Sequence, residues 1–336
     1  MRAIVFALPC VAIGLLVALR NRVVVTVAPT EHGDVVEIAR HTRRWRMVGL
    51  LIGAVAALAL LEAGQRLDAL GRVSALAPAA LGASVLIGTI AGELTARPAV
   101  GIRRTATVET RTVKAVLPKV LSTVLAVASA LLVAALAIGA AWGSADDMGR
   151  PGRIFTQTCT VLDPDLGPVL TSSGRGPWPG SFYAVPLAAA LLVLAALVTV
   201  ALRAIVSRPR PGVDSHDLDT MLRRWSVGNV LTAATVTVLA TLGPVALFIA
   251  SALSGGTCPL GVGESVVLWA AWVIAPLATG GAFSMLAWLA LTPSIRVDDL
   301  PRPLTGDAAP LGAPVRCACP PSRSTCSTRP RTTSGC

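Results

Sequence analysis

The stretch Arg43-Arg44-Trp45 leads into the apolar segment Val48–Leu61, and this order of residues is the most informative pattern in the chain. A second copy, Arg223-Arg224-Trp225, leads into the apolar segment Val230–Leu253. Arginine keeps its charge among lipid headgroups, and tryptophan prefers the membrane interface, where its ring is apolar and its N–H stays hydrated. Each stretch is therefore typical of the cytoplasmic end of a membrane-spanning helix.

The composition also indicates an integral membrane protein. Of the 336 residues, 54% are hydrophobic and 14% are charged, and the mean hydropathy is +0.70. The apolar residues form separate runs of about twenty, which is the length that crosses a bilayer as a helix. A net charge of +11 would suggest nucleic acid in a soluble protein, but here the basic residues follow the loops. The sequence therefore predicts the lipid bilayer as the partner, and no nucleic acid.

The apolar runs predict an all-α polytopic bundle of about seven transmembrane helices within residues 1–300. Their approximate ranges are 4–19, 47–62, 74–94, 117–142, 184–205, 229–252 and 266–291. Each must be helical because hydrocarbon offers the backbone no hydrogen-bond partner. The first run could also be a cleaved signal peptide. The missing small-residue cleavage site and the flank Leu19–Arg22 favour an uncleaved anchor.

The basic residues predict the orientation of the bundle. Most of the 29 arginine and lysine residues fall in alternate loops, which places those loops in the cytoplasm, the N-terminus outside and the C-terminus inside a bacterial plasma (inner) membrane. Tryptophans that fall at the ends of the predicted helices are expected to anchor them at the interfaces. These anchors are Trp45, Trp142, Trp225, Trp269, Trp272 and Trp288.

Three loop segments carry further expectations. The outer loop 143–182 is rich in Gly, Pro, Asp and Ser, which predicts an irregular cap. Cys159 in that loop and Cys258 in the next outer loop lie on the oxidising side, so the pair is a possible disulfide.

The tail 301–336 is predicted to be disordered or to come from a shifted reading frame. The segment Asp34–Arg46 is predicted to form a helix that lies along the membrane surface and leads into the second span.

The repeated Arg-Arg-Trp stretch raises the possibility of an internal duplication. Predicted helices 1–3 and 5–7 would have the same orientation, with helix 4 as the connector, which is the pattern of a parallel repeat. Chance is the alternative, because arginine and tryptophan flank many bacterial spans. Small-residue motifs, Gly49-x-x-x-Gly53 and Gly88-x-x-x-Gly92, predict close packing between helices.

No motif in the sequence predicts a catalytic, cofactor or metal site. Walker phosphate loops, HExxH, nucleophile elbows and Rossmann fingerprints are missing from the sequence. Glu62 and Glu93 fall near helix ends, where each could reach water or a neighbouring arginine. The predicted function is therefore that of a non-enzymatic membrane component.

Two other classes of function stay open. A permease or exporter subunit would need a polar path, and its best location is the threonine-rich face of 229–252 against 266–291, where Pro244 and Pro276 could interrupt the helices. An enzyme acting on lipid or envelope precursors would need outer carboxylates to converge. The candidates are Asp146, Asp147, Asp163 and Asp165.

Several loop motifs carry a loose resemblance to a group of known sequences. Arg103-Arg104-Thr105-Ala106, Pro118 at the start of a span, and Arg208-Pro209-Arg210-Pro211 stand among alanine-rich helices. In these features residues 1–300 resemble uncharacterised multi-pass membrane proteins of actinobacteria. The resemblance implies a helical membrane protein and carries no activity, substrate or catalytic residue.

Overall fold

A computed structural model describes residues 33–66, 70–96, 116–163, 165, 167–208, 216–256 and 258–291. Within these residues the chain forms long helices joined by short connections and one small sheet. The helices are α1 (Gly33–Arg66), α2 (Ala77–Thr95, preceded by the 3₁₀ turn Ser74–Leu76), α3 (Lys119–Trp142), α4 (Ser181–Ser207), α5 (His216–Ser254) and α6 (Val262–Leu291).

Among the described residues, six helices are long and apolar enough to cross a membrane. They coincide with the helices predicted from residue 47 onward, and by length and composition they indicate a membrane-embedded protein. The predicted first span, 4–19, and the tail, 301–336, lie outside the described residues. Pro244 and Pro276 stand inside the continuous helices α5 and α6, so neither proline interrupts its helix.

The centre of the bundle is α5. About two thirds of its most apolar window is buried, against about one sixth for α1. It packs on α2, α3, α4 and α6, and its buried residues Val227, Val230 and Leu242 belong to the main hydrophobic core. The two helices that contain Arg-Arg-Trp thus have different environments, one central and one peripheral, and the duplication stays a prediction.

Small residues bring α1 and α2 into close contact, as the glycine motifs predict. A Cβ added to Gly88 would lie 2.6 Å from the carbonyl oxygen of Trp45 and 3.0 Å from Cα of Gly49. No side chain fits in that space, so glycine permits the two backbones to touch. Dispersion contacts along this line hold the pair together where lipid supplies no hydrophobic driving force.

The outer segment is not irregular, so both the irregular-cap and the purely all-α predictions are wrong there. Strands β1 (Gly143–Ser144), β2 (Ile154–Asp163) and β3 (Gly167–Arg175) form a three-stranded antiparallel sheet in the order β1-β2-β3. In its register Ser144 pairs with Ile154 and Asp163 pairs with Gly167. The β-branched run inside β2 drives this pairing, because threonine and valine suit the extended chain.

The segment that precedes the first described span is helical but does not form a separate element. Residues from Gly33 onward continue into the span as one helix, α1. Ile38, Ala39 and Thr42 on this segment are buried against the rest of the protein. Protein contacts therefore cover this stripe of the helix, whereas the sequence predicted that it would rest on the membrane surface.

Candidate functional site

Two regions at opposite ends of the bundle contain the features that could bind or act. We call them the arginine end, where α2 and α4 finish and the buried arginines of α1 and α5 lie, and the sheet end, where α1 and α3 finish and the sheet packs. Successive helices alternate in direction, so Gly33 and Leu291, the first and last described residues, both lie at the arginine end.

A buried ion pair lies at the arginine end. Nη1 of Arg208 donates to Oε2 of Glu93 at 3.0 Å, and the hydroxyl of Ser226 donates to the other carboxylate oxygen at 2.8 Å. The two charged side chains are only 4% and 1% exposed. The prediction that Glu93 reaches water or a neighbouring arginine is thus confirmed for the arginine. The pair joins α2, α4 and α5.

A second arginine fastens the end of α4 to α5. Arg223 donates from Nη1 to the carbonyl oxygens of Ile205 and Val206, at 2.8 and 2.7 Å, and from Nη2 to the carbonyl oxygen of Arg208, at 2.6 Å. The last carbonyls of a helix have no intrahelical partner, so a guanidinium there satisfies them and complements the negative end of the helix dipole.

A third buried arginine has a different environment. Arg46 is 2% exposed, and its guanidinium carbon lies 5.1 Å from the ring centroid of Trp225. None of its three side-chain nitrogens has a hydrogen-bond partner. A cation–π contact supplies about 0.5–2 kcal/mol, which is less than the several kcal/mol that burying a charge costs. Arg46 is therefore a buried charge that its contact with Trp225 offsets only in part.

The threonine-rich face of α5 does not form a polar path among the described residues. Thr235 and Thr237 are 0% and 1% exposed. Their hydroxyls donate to the carbonyl oxygens of Leu231 and Ala233, one turn earlier on the same helix. Both hydroxyls are thus satisfied by hydrogen bonds within α5.

An apolar cavity of about 480 Å³ lies at the sheet end, between α1, α2, α4 and α5. Its lining is almost wholly hydrocarbon, and two of the lining residues, Leu61 and Phe248, are 44% and 38% exposed at the surface of the bundle. The volume is within the range of about 300–1,000 Å³ that is typical of ligand sites. The other lining residues include Ala57, Leu81, Pro177, Pro179, Leu187, Ala240, Pro244 and Val245.

The outer rim of the cavity is a tight turn held by a hydrogen bond. Leu70 and Gly71 both line the cavity and both have positive φ, 50° and 80°. Positive φ costs a residue with a Cβ about 1–2 kcal/mol. The hydroxyl of Tyr183 donates to the carbonyl oxygen of Leu70 at 2.6 Å, which fixes the turn against α4. The next residue, Arg72, places its guanidinium 5.1 Å from the ring centroid of Phe182.

The acidic residues of the outer segment do not come together. Asp146 lies beside β1, whereas Asp163 and Asp165 lie at the far end of β2, about 30 Å away at about 3.4 Å per residue. Asp147 is exposed. The described residues contain no group of three or more His, Cys, Asp or Glu side chains that could hold a metal ion. The convergence that an envelope or lipid-modifying enzyme would need is thus missing from the described carboxylates.

Asp146 organises the loop between β1 and β2. Its Oδ1 accepts from the backbone amides of Met148 and Arg150, and its Oδ2 accepts from the side chains of Arg150 and Arg153 at 2.9 and 2.7 Å. Burial raises the pKa of Asp146, but these hydrogen bonds outweigh it and lower the pKa to about 2. The same contact with Asp146 raises the pKa of Arg153. The hydrogen bonds of Asp146 therefore stabilise the loop between β1 and β2.

The two outer cysteines lie together in the structure. Cys159 on β2 and Cys258 between α5 and α6 are bonded, with their Cα atoms 5.7 Å apart. Nearby, Nε2 of Gln157 donates to Oε2 of Glu264 at 2.7 Å, which also ties β2 to α6. Formation of the disulfide by the protein in its own compartment stays a prediction.

Two of the tryptophans proposed as interface anchors lie in the last turn of a helix, Trp142 in α3 and Trp288 in α6. The others lie about two to three turns inside their helices, at about 3.6 residues per turn, and the exposure of the six differs. Trp269 is 70% exposed and Trp45 is 37% exposed, as an anchor in contact with lipid would be. The other anchors, Trp142, Trp225, Trp272 and Trp288, are partly buried. Trp178, also at the sheet end, is fully buried, stacks on Phe155 at 4.9 Å and donates to the carbonyl oxygen of Gly139.

Comparison with protein-family models, with curated proteins and with solved structures finds no match to this chain. The functional argument therefore rests on the residues of the chain itself.

Proposed function

We propose that this chain is a non-enzymatic component of a bacterial plasma membrane, and that its bundle binds a lipophilic molecule drawn from the bilayer. The observation that carries the proposal is the apolar cavity between α1, α2, α4 and α5, whose rim includes the exposed side chains Leu61 and Phe248. A hydrocarbon-lined space that opens on the lipid-facing surface binds apolar groups, because a polar ligand would lose its hydrogen bonds there.

The permease alternative has less support from the same residues. A path for a polar solute needs polar groups directed into a water-filled space, and the buried threonines of α5 bond to their own backbone. The remaining polar group in the cavity lining of α5, Thr241, donates to the carbonyl oxygen of Thr237. Binding of a lipophile is therefore favoured over passage of a solute.

Reactivity of an engineered cysteine in the cavity tests the proposal. In Ala240→Cys we expect rapid modification by membrane-permeant N-ethylmaleimide and none by a charged, water-soluble methanethiosulfonate, because only lipid reaches the cavity. Thr235→Cys, which is buried in the core, serves as the unreactive control, and Ser172→Cys on the exposed sheet as the control that both reagents modify. The background replaces Cys10, Cys317, Cys319, Cys326 and Cys336 by serine.

Each outcome separates the two functions. Modification of Ala240→Cys by the charged reagent would mean that water fills the cavity and would favour the permease. Modification of Thr235→Cys by the charged reagent would place an aqueous path along the threonine face of α5. Modification by neither reagent would close the cavity to ligands and would refute the proposal.

A further inference from the structure

We propose that the ligand of the apolar cavity is an anionic phospholipid of the bilayer, with one acyl chain inside the cavity and its phosphate on Arg72. This inference rests on the proposed lipophile binding and adds the chemistry of the headgroup. The observation behind it is the charged side chain of Arg72, which borders a cavity whose lining is almost wholly hydrocarbon.

Arg72 follows directly on the turn that forms the cavity rim. Leu70 and Gly71 line the cavity, and the hydroxyl of Tyr183 holds this turn against α4 through the carbonyl oxygen of Leu70. The arginine side chain is exposed, so the guanidinium is free to meet a ligand at the surface. The turn that forms part of the cavity wall thus also positions the backbone of Arg72.

Aromatic contacts fix the distance between the charge and the cavity. The guanidinium of Arg72 lies 5.1 Å from the ring centroid of Phe182, and that ring lies 5.0 Å from the ring of Tyr183, which lines the cavity. The guanidinium therefore lies within about 10 Å of the Tyr183 ring at the cavity wall. A lipid with a chain in the cavity can bring its phosphate to this guanidinium.

The charges around the rim favour an anion. Arg66 and Glu62 form an exposed ion pair at 2.7 Å and neutralise each other. Arg72 has no ion pair with any carboxylate of the described residues. A guanidinium without a carboxylate partner binds phosphate oxygens with two parallel hydrogen bonds, and its contact with the face of Phe182 leaves its edge open for them. A zwitterionic lipid would bring its own cation beside Arg72, and an anionic lipid would not.

Protection of the cavity cysteine by lipid provides the test. Purified Ala240→Cys in a neutral detergent is titrated with phosphatidylglycerol or with phosphatidylcholine of the same acyl chains, and the rate of modification by N-ethylmaleimide is measured. We expect phosphatidylglycerol to protect at about fivefold lower concentration, the effect of one arginine beside an anionic headgroup. In Arg72→Gln the two lipids should protect equally. In the matched control Arg66→Gln the fivefold preference should remain.

The outcomes distinguish a failure of this inference from a failure of the proposed function. Two results would overturn the headgroup assignment and leave lipophile binding intact. One is equal protection by both lipids when Arg72 is unchanged. The other is a loss of the preference in Arg66→Gln that is as large as in Arg72→Gln. Absence of protection by either lipid, with the cysteine still reactive, would refute lipid binding itself. Recovery of the preference in Arg72→Lys would show that charge suffices without the two-bond geometry.

Discussion

Replacing Glu93 by glutamine should strongly destabilise the bundle. The carboxylate is 1% exposed, accepts from Arg208 at 3.0 Å and accepts from Ser226 at 2.8 Å. Removing the carboxylate of a buried ion pair takes away a counter-charge of the arginine and typically costs about 3–5 kcal/mol. Glutamine keeps the shape of the side chain and can still accept from Ser226. The expected loss in the free energy of unfolding is therefore about 3–5 kcal/mol, from charge alone.

The measurement is equilibrium unfolding in mixed micelles with a rising fraction of sodium dodecyl sulfate, followed by far-ultraviolet circular dichroism. Glu62→Gln is the matched control, because Glu62 also pairs with an arginine, Arg66, but on the surface, with side chains 56% and 76% exposed. A surface pair of this kind contributes about 0–1 kcal/mol, so the control should change stability little.

A double-mutant cycle tests the physical reason. If the cost of Glu93→Gln comes from losing the ion pair with Arg208, the further change Arg208→Met should lower that cost. The double variant should then lose less stability than the two single variants together. Strictly additive losses, or a loss for Glu93→Gln no larger than that of Glu62→Gln, would refute the assignment of a buried ion pair.

Three further predictions follow from other contacts. Cys159 and Cys258 should resist alkylation in the unfolded protein until a reductant is added, and alkylation without reductant would contradict the bond. Replacing both by serine should lower the free energy of unfolding by about 3–5 kcal/mol, because the disulfide closes a loop with a sequence separation of 99. Gly88→Leu should destabilise by at least 1–3 kcal/mol because its side chain would meet the backbone of α1, whereas Gly228→Ala, with nothing within 4 Å, should be neutral or raise the melting temperature. The folded pKa of Asp146 is about 2, below its ordinary value of 3.8, so its contribution to stability is present above pH 4 and is lost as pH falls from about 4 to 2. The protection of the loop amides against hydrogen exchange should therefore decrease over that window. Asp146→Asn should remove this pH dependence.

The spans from residue 47 onward were predictable because they depend on local composition. A run of about twenty apolar residues must be helical in lipid wherever it occurs in the chain. The sheet was missed because the Gly, Pro, Asp and Ser content of 143–182 was given more weight than the short β-branched run Thr156–Val161 within it. In that run threonine and valine occupy positions whose strand preference is strong, and this was the available signal.

The burial of Arg46 also had a signal in the sequence. Ala39, Thr42, Arg46, Gly49 and Gly53 follow one another at spacings of three and four, so they share one face of α1. The two glycines predict that this face packs on another helix, and Arg46 lies on the same stripe. Arg44, two residues away, lies on the opposite face of the helix and is exposed. Helical spacing thus separates a buried arginine from an exposed one within a single basic cluster.

The cavity could not be predicted in the same way. Its walls come from α1, α2, α4 and α5 and from the connections next to them, so its shape depends on how four helices pack. The Glu93–Arg208 pair likewise joins residues 115 positions apart. Such features depend on tertiary packing, and a single sequence gives the residue types without the distances between them.

The length of two helices has a mechanical consequence for the protein. α1 has 34 residues and α5 has 39, or about 51 and 58 Å at 1.5 Å per residue, against about 30 Å of hydrocarbon. Ala39 of α1 packs on Leu222 of α5, so the two helices remain in contact toward the arginine end. A continuous helix has no joint between its aqueous and its embedded turns. A force on the turns that extend beyond the hydrocarbon at the arginine end is therefore transmitted along α5, the most deeply buried helix of the bundle.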